Sequence, residues 1–485
     1  MEVKDLKPAL IWQIFDEITK VPRPSCHEEQ IRAYLLDFAA KHNLEAKTDK
    51  VGNVVIKRPA SKGHENAPAV VLQAHMDMVA EKNNDVQHDF LKDPIETYVD
   101  GDWVKARGTT LGADNGIGLA AGLAAMIDPD LEHGPLECLF TVNEEIGLEG
   151  AQNLGEGMIT GKILINMDSE DDGEIFVGCA GGIDTTAFFS YNRSVAPEHF
   201  HYMKVSVSGL LGGHSGSDIN LGRANANKLI ARFLFDCSRD YEISLSTFDG
   251  GNLRNAIPRE CFAVFGINSD MKGRLRKKLE SYIDEITAEY AGIEPSICFR
   301  LEDIDRPEFC IDHATSQALV RAIYSAPHGV ISMSRDIEGL VETSTNLAAV
   351  KMMDDNRIKI TTSQRSSVES RKNDIASQVE AHFLLAGAEV EHSDGYPGWA
   401  PNMNSPIMHI AADAYEELFG VKPAIKAIHA GLECGLFLAD NPGLDMVSFG
   451  PTMTGVHSPD EQLNIPTVDK FWRHLKLVLK KVAES

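Results

Sequence analysis

The feature that most limits what this chain can fold into is a recurring one. Short apolar runs, each long enough for one strand, stop abruptly at acids or imidazoles: "AVVLQAHMDMV" at 69–79, "LECLFTVNEE" at 136–145 and "KILINMD" at 162–168. Between them lies the Ala- and Leu-rich "LAAGLAAMI", starting at Leu119, which reads as a helix. Apolar strands alternating with helices predict an α/β layer structure with a largely buried sheet. In such a sheet the polar groups collect at the strand ends. Two adjacent carboxylates, Glu144 and Glu145, stand where the second run finishes, and Gly147 after them permits a sharp departure of the chain.

From about residue 191 the pattern changes. "YMKVSVSGL" leads into the Gly-rich "LGGHSGSDINLG" and a helical "ANANKLIARFLF". Strand candidates "YEISLSTF" and "ECFAVFGI", a charged helix "KGRLRKKLESYIDEITAEYA" and the strand "PSICFRLEDI" follow. "RIKITTSQRSSVESRKNDIASQVEAHFLLAGAEVEHSD" supplies a further strand-helix-strand unit. This reads as an inserted α+β domain over 187–394. The Gly-, Pro- and Asn-rich "GYPGWAPNMNSP" then acts as a return linker. A helix at 406–419 and the strand "DMVSFG" resume the first pattern, so 1–186 and 395–485 are expected to form one domain.

A chain of 485 residues, 43% hydrophobic, is long enough for two or three such cores. Its formal charge of -26 opposes nucleic acid and anionic membranes as partners and suits small ligands or metal cations. The eight cysteines form no CxxC pair, which excludes a disulfide scaffold and a Cys-type zinc knuckle. The first residues lack a long apolar segment, and no uninterrupted apolar run of about 18 residues occurs. Placement in the cytoplasm is the expectation.

Four places deliver metal-type ligands where a strand ends or a loop begins. His75 and Asp77 are two apart and share a face on an extended backbone; an Asp beside a ligand His commonly fixes its tautomer and direction. Asp114 opens a helix in "RGTTLGADNGIGLA", where it also fits a simple helix cap. Asp168 ends an apolar run, and His457 follows a late strand in "VSFGPTMTGVHSPDE". Two His and several carboxylates without a thiolate suit Zn²⁺, Mn²⁺ or Co²⁺. Two such cations about 3.5–4 Å apart repel, and a carboxylate between them relieves that cost.

The motifs "HMDMV", "GADNG", "NEEIGLEG", "NMDSED" and "GVHSPDE", in this order, resemble the dinuclear zinc exopeptidases related to carboxypeptidase G, aminoacylase and carnosinase. "VPRPSCHEEQIRAYLLDFA" and "TDKVGNVVI" share in the resemblance, which runs from about residue 12 to the end. It implies an α/β catalytic domain, its mixed sheet flanked by helices, carrying an inserted α+β lid and dimerisation domain. It also implies two divalent ions per subunit, zinc first, with cobalt or manganese as alternatives. Asp114 would bridge them, His75 and Asp168 would hold one, and Glu145 and His457 the other. Asp77 would orient His75 and Glu144 would be the general base. The family uses Asp at position 168 in aminopeptidases and dipeptidases, where carboxypeptidases use Glu. The implied activity is hydrolysis of unmodified dipeptides, Xaa-His included, by a homodimer joined through the lid. An N-acyl amino acid deacylase and a catalytically silent binding relative are the alternatives. In the lid, His214 would stabilise the oxyanion, and Asn255 and Arg365 would contact substrate. "QRSS" departs from the family at Arg365, where relatives often continue with Pro. Glu433, in "HAGLECG", would receive the substrate's free amine.

Overall fold

A computed structural model describes residues 2–485. Its internal contacts divide the chain into two compact units. One comprises Met1–Cys179, Trp399–Ala427 and Leu432–Ser485, and the other Ala180–Gly398 with Ile428–Gly431.

The first unit is built on an eight-stranded mixed sheet. In spatial order its strands are Glu45–Thr48, Val54–Arg58, Leu136–Thr141, Val70–His75, Ile163–Asn166, Asp445–Ser448, Glu174–Cys179 and Ala424–Ile428. Val70–His75 runs parallel to both neighbours, with His75 opposite Thr141 and Gln73 opposite Asn166. Asp445–Ser448 is in turn parallel to Ile163–Asn166. Four parallel strands thus finish at one edge. The three central ones are buried almost throughout, which is why they read as continuous apolar runs rather than alternating ones. The helix Ala113–Ile127 packs on this sheet and on the helix Ala9–Ile18, and nearly every residue in it is buried. Ser405 caps the helix Pro406–Phe419 and Asn464 caps the amphipathic Ile465–Glu484. These two helices pack together.

The second unit carries a nine-stranded antiparallel sheet with a long hairpin, Val341–Met352 and Arg357–Ser366, near its middle. Sequence periodicity misses the first of these strands: "TSTN" looks like a loop, yet Thr343 to Asn346 are all buried. Helices Ala226–Cys237, Lys272–Glu289, His313–Ser325 and Glu369–Leu385 complete its core. The division falls at 180 rather than 187 because strand Gly181–Ser190 pairs along its whole length with Arg357–Ser366. No helix among the described residues is long and apolar enough to cross a membrane.

Candidate metal centre

The parallel strands deliver their polar ends to one place, the usual position for a site in an α/β sheet. His75 is the last residue of its strand and Asp77 lies two further on; both are buried. The strand Leu136–Thr141 ends sooner than its sequence suggests. Asn143 and Leu148 take positive φ and Gly147 reaches φ 134°, so the chain turns through Glu144 and Glu145 and the two acids need not share a face. Asp168 follows Ile163–Asn166, and His457 follows Asp445–Ser448 after the short strand Met453–Thr454.

These residues converge. The Nε2 of His75 lies 3.0 Å from Asp114 Oδ1 and 3.4 Å from Asp168 Oδ1. The Nε2 of His457 lies 3.1 Å from Asp114 Oδ2 and 2.9 Å from Glu145 Oε2. Asp114 therefore offers one oxygen to each side. Metal-type donor atoms fall into His75, Asp114 and Asp168 on one side and Asp114, Glu145 and His457 on the other, with His75, Glu144 and Glu145 also clustered.

The electrostatics are those of crowded carboxylates. Burial, and after it the charges of Asp114 and Glu145, push Asp168 up to about 6 despite the help of His75. Burial likewise holds Glu144 well above the ordinary carboxylate range, with Asp168, Glu433 and Glu145 adding to it. Burial also works against the Asp114 carboxylate, but hydrogen bonds from His457 and His75 outweigh it and lower its pKa. Those to Asp114 and Glu145 raise His457 to about 11. The fit to two divalent cations rests on this donor set, all oxygen and imidazole, on the uncompensated negative charge, and on Glu145 Oε1, which is buried without a partner.

Several residues that the motifs do not single out complete the surroundings. Asp77 accepts from Ser25 Oγ at 2.8 Å, from Glu144 N at 3.1 Å and from Glu145 N at 3.4 Å. Its Oδ1 lies 3.3 Å from His75 Nδ1, in contact though not aligned as a full hydrogen bond. Asn115 Nδ2 donates to Asp168 Oδ1 at 2.5 Å. The neighbouring Glu28 accepts from the amides of Cys26 and Asn143, bracing the turn before Glu144. Asn115 adjoins a candidate ligand and was within reach of the motif; Ser25 and Glu28 come from a connector with no metal-type spacing.

Glu433 sits in the same unit at the start of helix Glu433–Asp440, 1% exposed. Its Oε2 accepts from Gln73 Nε2 at 2.6 Å, while Oε1 is buried without a partner. Burial raises it to about 7.

His214, Asn255 and Arg365 belong to the second unit and gather there. His214 pairs with Ala256 where Gly213–His214 meets Ala256–Ile257, Asn255 stands just before that pairing, and Asn255 O accepts from Ser215 N at 2.8 Å. The His214 Nδ1 accepts from Gly216 N at 3.3 Å and Ser217 N at 3.2 Å, so the neutral ring carries its proton on Nε2. Burial, then the Arg365 charge, lowers its pKa. Arg365 is 5% exposed, donates to the Tyr396 hydroxyl at 2.8 Å and keeps Nε without a partner. His429, which sequence reading passes over, joins this group: it contacts Ser344 Oγ at 2.7 Å, and burial with Arg365 holds it down to about 3.

Comparison with known proteins adds an independent line. Residues 71–481 match the model of peptidase family M20/M25/M40. The chain is 45% identical over 481 residues, 99% of each sequence, to the cytosol non-specific dipeptidase of Escherichia coli K12. It superposes on the crystal structure of aminoacylhistidine dipeptidase from Vibrio alginolyticus with a TM-score of 0.92 at 44% identity, covering 99% of this chain and 98% of that one. A Staphylococcus aureus tripeptidase structure shares the fold at a TM-score of 0.58 and 16% identity, covering 99% and 100% of the two chains.

Proposed function

This chain belongs to the M20/M25/M40 peptidase family of peptide-bond hydrolases, and from that premise we propose that it cleaves unmodified dipeptides, Xaa-His dipeptides among them. The observation that carries the proposal is Asp114, with one oxygen facing His75 and the other facing His457. We assign Asp114 as bridge, His75 with Asp168 to one ion, Glu145 with His457 to the other, and Zn²⁺ as the ion, with Co²⁺ or Mn²⁺ able to replace it. Two divalent ions so held supply an acidified water and a polarised scissile carbonyl.

The side chains do the rest. Glu144, whose pKa burial raises, takes a proton from the attacking water on its carboxylate and returns it to the leaving amine. Asp77 keeps the His75 ring turned toward the cluster and, through the amides of residues 144 and 145, fixes base and ligand with respect to each other. The second unit serves as lid and dimerisation domain in this reading. There the Nε2–H of His214 donates to the developing oxyanion, Arg365 grips the terminal carboxylate and Asn255 contacts substrate. Glu433 receives the free α-amine on its unpartnered Oε1, which is the group that a dipeptide has and an N-acyl amino acid lacks. We place the protein in the cytoplasm, alongside the relative named for the cytosol.

Turnover of Ala-His against acetyl-His tests the reading. Cleavage of Ala-His that is lost on chelation and restored by Zn²⁺ is expected; robust deacetylation without dipeptide cleavage overturns it in favour of a deacylase. Glu144→Gln is expected to retain two ions and lose hydrolysis by at least about 10²-fold. Unchanged hydrolysis by that variant would remove Glu144 from its role.

A further inference from the structure

Behind the cluster lies a second pair of buried charges that the proposed reaction does not use. Arg23 stands between Pro22 and Pro24, and it is 2% exposed. Its Nη1 donates to the carbonyls of Met76 at 3.2 Å and Asp77 at 2.7 Å, and its Nη2 donates to the carbonyl of Gly112. Backbone bonds from Met78 N to Arg23 O, 3.1 Å, and from Ser25 N to Met78 O, 3.3 Å, tie the same connector to the same segment. Glu461, also 2% exposed, collects four consecutive amides. Its Oε2 accepts from Leu111 at 2.7 Å and Gly112 at 2.9 Å, and its Oε1 from Ala113 at 2.7 Å and Asp114 at 3.2 Å.

The loop 111–114 thus has its amides on a carboxylate and one carbonyl on a guanidinium. Its glycines are shaped around this arrangement. A Cβ at Gly112, where φ is 68°, would stand 2.6 Å from Arg23 Nη2, and a Cβ at Gly116 would stand 2.6 Å from the same atom. The punctuation of "LGADNG" leaves room for the guanidinium at both points.

We propose that Arg23 and Glu461 are positioning residues that set the register between the two halves of the metal cluster, an inference that rests on the ligand assignment above. Asp114 is the member common to both halves. Arg23 holds its loop to the end of the His75 strand, and Glu461 holds it to the segment that carries His457, four residues earlier in the chain. A carboxylate on four amides and a guanidinium on three carbonyls leave little freedom in the backbone of Asp114. Without either, the loop can shift, and the distances from Asp114 to both His75 and His457 change together. Buried charges are a costly means of merely filling space, and here each is spent on backbone that carries a ligand.

The test titrates metal-depleted wild type, Glu461→Gln, Glu461→Asp, Arg23→Lys and Gly116→Ala with Co²⁺ and Zn²⁺ by calorimetry. It also records the visible Co²⁺ spectrum, kcat and KM for Ala-His. An amide at 461 has one acceptor oxygen, so two of the four N–H groups would face N–H. Glu461→Gln and Arg23→Lys are expected to bind the second ion at least about tenfold more weakly. Their Co²⁺ spectra should be altered and kcat lowered, with KM within about twofold of wild type; Glu461→Asp should recover part of each loss. Gly116→Ala lies within a helix, where the exchange ordinarily favours the fold. Here it should weaken metal binding by displacing the guanidinium. A folded Glu461→Gln, or if that chain does not fold a folded Gly116→Ala, with wild-type affinity for both ions and wild-type kcat overturns the proposal. Wild type that binds no ions or leaves Ala-His intact overturns the functional reading instead.

Discussion

Asp77→Asn is the most informative single change at this centre. In the native arrangement Oδ1 faces His75 Nδ1 and the amide of Glu144, and Oδ2 faces Ser25 Oγ and the amide of Glu145. An asparagine has one acceptor oxygen. Its best orientation keeps the carbonyl toward His75 and Glu144 and turns the NH₂ toward Ser25, whose hydroxyl can accept instead. The Glu145 amide is then left facing a donor, so at least one charge-assisted bond is lost, together with the negative charge beside His75. One such bond is worth about 2 kcal/mol, which is about thirtyfold in rate if the loss is felt wholly in the transition state. Loss of the group that directs a ligand histidine costs about 10–100-fold in metal affinity. The assay is Ala-His hydrolysis at saturating and at limiting Zn²⁺, with thermal unfolding as a control for folding. A drop near thirtyfold in kcat at saturating metal and a larger one at limiting metal are expected. If the folded variant stays within about twofold of wild type under both conditions, Asp77 does not join the ligand to the base and the reasoning fails.

Other outcomes follow from single contacts. Phe140 is fully buried, and its ring lies 3.2 Å from where a Cβ on Gly122 would stand, so Phe140→Ala should lower stability by about 3–5 kcal/mol in urea unfolding. A loss below about 1 kcal/mol would mean that the helix closes the space. Arg365→Lys keeps the charge but not the planar fork, and should raise KM for dipeptides at least about tenfold; an unchanged KM would free Arg365 from its proposed grip on the carboxylate. Burial lowers His474 to about 4, although its ring bonds to Ala411 O. The unfolded ring takes a proton near its ordinary pKa of 6.5, and the folded ring resists protonation until about 4. Its contribution is therefore complete above pH of about 6.5 and falls toward about 4, a loss of roughly 3 kcal/mol across that window. The metal-depleted His474→Phe protein should show a flatter pH dependence of stability there, and parallel curves would contradict this.

Much of the centre can be read from the chain because its chemistry is local. His75, Asp77, Glu144, Glu145 and Asp168 each stand where an apolar run stops, and strand length and polarity reveal that without coordinates. The α/β character of the first unit is equally plain, since parallel strands buried on both faces are mostly apolar and do not alternate. Less legible are groups whose partners are remote in sequence. Val341–Met352 is a strand although its first half is polar, because Thr343 and Thr345 bond to Ser366 and Gln364 on the next strand, Ser344 to His429 and Asn346 to the Ala256 carbonyl. Arg23 and Glu461 receive no role from the sequence, and only folding brings them to backbone 53 to 350 residues away. The sequence by itself determined which side chains carry metal-type donor atoms and that apolar strand-like runs stop at them, because residue type and hydrophobic periodicity are local properties. The tertiary structure decided which oxygen of Asp114 faces which histidine, and which buried charges hold its loop in place. Those depend on bond directions between segments that meet only in the folded chain.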